Sequence, residues 1–98
     1  MKLSIGDQVG IHCDVSPGPF PGEFLVTFET VSGPVSGFVQ DSALLSRNDG
    51  DGYVIGVVET ITETEIKVRV SGSFFTTNGL AWLSQDWAQA NLRSVHID

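Results

Sequence analysis

Cysteine occurs once in this 98-residue chain, at Cys13. No disulfide can form within the chain, which excludes the disulfide-stapled class of small secreted domains. Positive charge is scarce. Lys2, Arg47, Lys67, Arg69 and Arg93 are the five cations against twelve carboxylates, a net charge of -7. Only Lys67 and Arg69 could share a strand face. Phosphate backbones are bound through clustered Lys and Arg, so nucleic acid is not an expected partner, and an anionic membrane surface is disfavoured on the same ground. Long apolar runs are missing too. The longest stretch free of strongly polar residues, Gly52 to Val58, is far short of a membrane span. The opening segment reaches Gly6 and Asp7 before an apolar core can form, so no signal peptide is expected and the location is taken as cytoplasmic.

What is present is apolar and alternating. Hydrophobic residues are 41% of the chain and nine residues are aromatic, which argues against disorder. A chain of this length is expected to form a single domain over residues 1–98, stabilised by its core alone. Val9, Ile11, Cys13 and Val15 alternate with Gly10, His12 and Asp14, the pattern of a half-buried strand. Three prolines and two glycines in Ser16 to Gly22 forbid ladder pairing and predict a loop. Glu23 to Val31 is the second predicted strand and Val35 to Gln40 the third, where Gly37 marks a bulge or a close backbone approach. Asp41 to Leu45 predicts one helical turn, and Arg47 to Gly52 a loop.

Tyr53 to Thr62 and Glu65 to Val70 form the clearest hairpin. Ser73 to Thr77 is strand-like, and Asn78-Gly79 is a strong hairpin turn signal. Residues 80–92 read either as one helix or as strand plus helix. The favoured version is a short strand over Leu80 to Leu83, then a helical piece from Gln85 to Leu92 capped by Ser84. Val95 and Ile97 alternate with His96 and Asp98 as a possible closing strand. The expected fold class is all-β, a small barrel of roughly six to eight short strands with a short C-terminal helical segment, because closure removes free sheet edges. Gly33 to Leu45 and Gly72 to Leu92 echo one another, which fits either a duplication or two uses of one corner.

Ile5-Gly6-Asp7-Gln8-Val9, the strand Gly33 to Val39 and Ala43-Leu44-Leu45 together resemble the SH3-like small barrels over the first half of the chain. The resemblance implies a barrel architecture. It does not carry over Pro-rich-peptide binding, because Pro34 stands where the family places an aromatic, and fold does not confer function.

Several constellations bear on chemistry. His12 and Asp14 share one strand face while Cys13 points to the other. His96 and Asp98 repeat the spacing, so pairing of the last strand beside the first would gather two His and two carboxylates suited to zinc. The alternative is a solvated strand face, and no metal or other cofactor is expected. Asn48 to Gly52 resembles part of a calcium loop but fails at both ends, with Arg47 and Val58 at ligand positions. No nucleophile elbow, phosphate loop or dinucleotide fingerprint is present.

The aromatics exceed what one small barrel can hide. Phe20, Tyr53, Trp82 and Trp87 are therefore the candidate binding residues of a non-enzymatic interaction or oligomerisation module, with a second copy or another protein as partner. Two alternatives stand beside it: a small-ligand binder or small enzyme with a pocket at the barrel mouth or a subunit interface, and an accessory protein of a phage or mobile cassette.

Overall fold

The computed structural model describes residues 2–48, 50–74 and 79–95. Its architecture is a curled antiparallel sheet, a partial barrel, with one short helix near the C-terminus. The strands are β1 (Gln8–Pro17), β2 (Glu23–Thr30), β3 (Gly33–Gln40), β4 (Leu44–Asn48), β5 (Asp51–Ile61), β6 (Glu65–Val70), β7 (Ser73–Phe74), β8 (Leu80–Ser84) and β9 (Leu92–Ser94). A 3-10 turn, Asp41–Ala43, joins β3 to β4, and the helix α1 (Gln85–Asn91) joins β8 to β9. No helix among the described residues is long and apolar enough to cross a membrane.

Alternation sorts the side chains. Val9, Ile11, Cys13 and Val15 of β1 are buried, as are Val26 and Phe28 of β2, Val54 and Val58 of β5, and Ile66, Val68 and Val70 of β6. All of these but Cys13 and Phe28 are β-branched, which suits a pleated sheet buried on one face. Strand β1 organises the curl. One of its edges is taken by β5, from Gln8 opposite Val57 to Asp14 opposite Asp51. The other edge is divided between β9, at Val9 to Ile11, and β2, at Asp14 to Pro17. The far edge of β5 is divided in the same way, between β4 and β6.

The ends of the sheet approach each other in two places. From β6 the chain turns through Ser71 and Gly72, where φ is +126°, into β7, which pairs with β3. At the other place, the Val31 N–H donates to the Trp82 carbonyl at 2.9 Å.

The helix forms where its cap predicts. The Ser84 hydroxyl accepts from the Trp87 N–H at 3.1 Å. Gln85 docks on the β5–β6 turn, its N–H donating to the Thr64 carbonyl and its side-chain amide to that of Thr62, both at 2.9 Å. Ala88 is buried, and Trp87 and Leu3 pack partly against the core. The helix thus closes the end of the curl that holds Ile61 and Ile66.

Three local expectations change. Ser16 and Pro17 are not part of the loop but finish β1 opposite Leu25 and Phe24, since a proline can hold the last place of a strand, where no N–H is needed. Arg47 to Gly52 is not a loop. It holds the end of β4 and the start of β5, with Asn48 opposite Asp51. The Asp49-Gly50 dipeptide is itself a hairpin signal, and Gly50 takes a φ of +83°. Gly37 carries no bulge, because the β2–β3 register runs unbroken from Glu23 and Gln40 to Thr30 and Gly33. The irregularities fall at Leu44/Ser46 and Val58/Thr60 instead.

Gly52 stands opposite Arg47 in the β4–β5 ladder, just beyond the register shift at Leu44/Ser46. A Cβ there would strike the Ser46 backbone oxygen and sit 3.2 Å from a Val15 methyl. Gly52→Ala is expected to cost about 1–3 kcal/mol in urea denaturation through overpacking. Ser84→Ala is expected to cost about 1 kcal/mol through loss of the cap. The exposed Ser16→Ala should stay within about 0.5 kcal/mol of wild type.

Candidate functional site at the open end

At the end opposite α1 the inward-facing side chains run out at Val15 and Phe24, with Pro17 opposite Phe24 in the β1–β2 ladder. Beyond them the chain makes its Pro/Gly loop, and backbone bonds hold the loop firmly. The Gly18 N–H donates to the Glu23 carbonyl at 2.8 Å, the Glu23 N–H to the Phe20 carbonyl at 3.1 Å, and the Asp41 N–H to the Gly22 carbonyl at 3.0 Å. Pro19 and Pro21 flank Phe20, whose side chain gains no cover from the loop: the residue is 69% exposed.

Across from the loop stands the β4–β5 hairpin. The Arg47 guanidinium lies over the Phe24 ring, 4.1 Å from its centre, and 3.7 Å from an Asp41 carboxylate oxygen. Between the end of β1 and this hairpin is an open cleft of about 800 Å3, lined by Val15, Ser16 and Pro17, Phe24, Arg47, Asn48 and Gly50. It is the mouth of the partial barrel, with an apolar floor and one cation leaning over it.

The four candidate binding residues occupy separate places. Phe20 is on the Pro/Gly loop between β1 and β2, at this end of the sheet, and does not itself line the cleft. Tyr53 lies on the outer face of β5 opposite His12, the two rings 5.4 Å apart, with the Arg93 guanidinium 5.2 Å from the Tyr53 ring centre. Trp82 is on the outer face of β8 opposite Lys67, whose ammonium is 5.6 Å from the ring centre. Trp87 is half-buried on α1. Trp82 and Trp87 line two small neighbouring clefts that share Thr30, so the structure gathers them at the end of β2 beside exposed Val31. Phe20 is at the opposite end of β2. The four do not share one surface.

His12 and Asp14 both lie on the outer face of β1. The partner of His12 is Asp51, with Nε2 3.3 Å from a carboxylate oxygen, a pairing set by the β1–β5 register. Strand β9 does pair beside β1, but it runs from Ile11 towards Val9, and the Val95 N–H donates to the Gln8 carbonyl. The described part of that strand therefore heads away from His12. His96 and Asp98 lie outside the described residues. Among the described residues no group of three or more His, Cys, Asp or Glu side chains is placed to hold a metal ion.

Cys13 faces the core, its thiol 3.6 Å from the Gly52 carbonyl. Burial pushes its pKa up to about 12, helped by the negative charges of Asp14 and Asp51 and opposed by the Val54 N–H. The thiolate is the reactive form, so this thiol is inert at neutral pH. Arg47 is the mouth residue that sequence patterning missed, because its contact with Phe24 joins strands distant in sequence. Compared with protein-family models, curated proteins and solved structures, the chain matches none.

The Cys13 thiol should resist Ellman's reagent at pH 8 in the folded protein and react fully in denaturant. Its raised pKa also has a linked effect on stability. The contribution is complete below the unfolded value of 9.0 and is lost as pH rises towards about 12. The stability advantage of wild type over Cys13→Ala, measured by denaturant titration, should therefore shrink above pH 9.0. A constant or widening difference would contradict this account.

Proposed function

We propose that the chain is a non-enzymatic protein-interaction module whose contact surface is the open barrel mouth with the Phe20 loop. The observation that carries the reading is Phe20 itself, a large apolar side chain 69% exposed on a loop already ordered by backbone hydrogen bonds. An anchor presented this way needs little further ordering on binding, so more of its burial appears as affinity. The mouth beside it supplies an apolar seat for a partner's side chain. The inert Cys13 thiol is consistent with a non-enzymatic role, and a buried free thiol suits the reducing cytoplasm. The SH3-like character suggested by Ile5 to Val9 and Gly33 to Val39 belongs to the same proposal.

A second reading is favoured by the cleft of about 800 Å3. A small ligand bound there would raise the melting temperature by mass action, which a thermal-shift panel detects and a purely protein-binding module would not show.

Photo-cross-linking tests the main reading. With p-benzoylphenylalanine in place of Phe20, irradiation of the cells that make the protein should give a discrete adduct, to a second copy or to another protein. The same group in place of Glu63, exposed at the β5–β6 turn, should give none. Equal or absent labelling at the two positions would overturn the reading.

A further inference from the structure

We infer that the tip of the Pro/Gly loop, residues 19–22, is itself the inserted element, and that its partner is another protein with a groove walled by Trp or Tyr side chains. The inference rests on the interaction-module reading and adds the chemistry of the partner.

Residues 19–22 lie beyond the last backbone bond between β1 and β2, that of the Gly18 N–H to the Glu23 carbonyl. They form a tight turn. The Glu23 N–H returns to the Phe20 carbonyl, Pro21 holds the second position, and Gly22 takes a φ of +78° at the third, which is the type II pattern. Pro19 and Pro21 fix φ on both sides of Phe20, and each restricts the residue before it. The tip is therefore ordered before it meets a partner. Both prolines are exposed along with Phe20.

No ionisable side chain occurs between Asp14 and Glu23, so the tip has no charge of its own to offer an ion pair. Pro19 and Pro21 have no N–H, and among the described residues nothing donates to the carbonyls of Gly18, Pro19 or Pro21. The tip thus presents three apolar rings beside unpaired acceptors. An aromatic-lined groove answers both features. Its flat rings seat the prolines and Phe20, and indole N–H or phenol O–H groups at its walls donate to the carbonyls. The ordering cost that weakens a flexible ligand is small here, because the turn and the prolines have already met it. A second copy is a poor occupant. Its Phe24, Trp82 and Tyr53 rings each lie under a cation of their own chain, and two chains of net charge -7 repel.

The test irradiates the full chain with p-benzoylphenylalanine in place of Phe20 in the cells that make it, and maps the adduct by mass spectrometry. The cross-linked residue should belong to another protein and lie in a groove that carries Trp or Tyr. With that protein purified, its affinity for the unlabelled chain should fall about tenfold or more with Phe20→Ala, as for an interface anchor, and several-fold with Pro19→Ala plus Pro21→Ala. Added salt should change it less than about twofold, since no ion pair is involved. An adduct on a surface without Trp or Tyr, an affinity indifferent to the prolines, or a strong salt dependence would overturn the aromatic-groove inference and leave the interaction reading standing. An adduct between two copies would do the same. No adduct at Phe20 would overturn both.

Discussion

Strand β1 has two edges and three neighbours. One edge is used by β5 from Gln8 to Asp14, and the other passes from β9 to β2 across His12 and Cys13. Two strands cannot occupy the same stretch of an edge, so β9 and β2 must diverge where they exchange places. The divergence opens the sheet at that point, and β5 repeats it with β4 and β6. Curling follows from this sharing of edges. It leaves the barrel with two unlike ends, one covered by α1 and the other ringed by the Phe20 loop and the β4–β5 hairpin.

The aromatic surplus is handled on the outside of the sheet and at its open mouth. Arg47, Lys67 and Arg93 each lie over an aromatic ring, those of Phe24, Trp82 and Tyr53. Such contacts are worth about 0.5–1 kcal/mol at exposed sites, and they shield ring faces from water. A chain with few cations thus places most of them where apolar surface needs cover. Low charge content on its own therefore does not show that these rings are buried against another subunit. Phe20, 69% exposed, is the most exposed aromatic among the described residues.

Much of the fold was legible because period-2 alternation is a local signal. The inward set of β1 from Val9 to Val15 follows it directly, and the Ser84 cap correctly divided the strand of residues 80–84 from the helix after it. The hairpin at Asn48 to Asp51 was less legible, since Asn, Asp and Gly mark a tight turn and a loose loop alike. The site was legible in part. Phe20 stood out because prolines on both sides deny its segment a place in a ladder. Arg47 over Phe24 and His12 beside Asp51 were hidden, because each depends on which strands lie side by side and in what register, and alternation does not encode that.

The pairing of β9 with β1 also sets an order of events during synthesis. Val9 to Ile11 are made well before the residues that cover part of their edge, Leu92 to Ser94. Until those residues emerge, the central strand of the sheet has an unpaired edge rich in β-branched side chains. A nascent chain in that condition is open to strand addition by its neighbours. The interval before β9 arrives is therefore when this chain has most need of protection from aggregation.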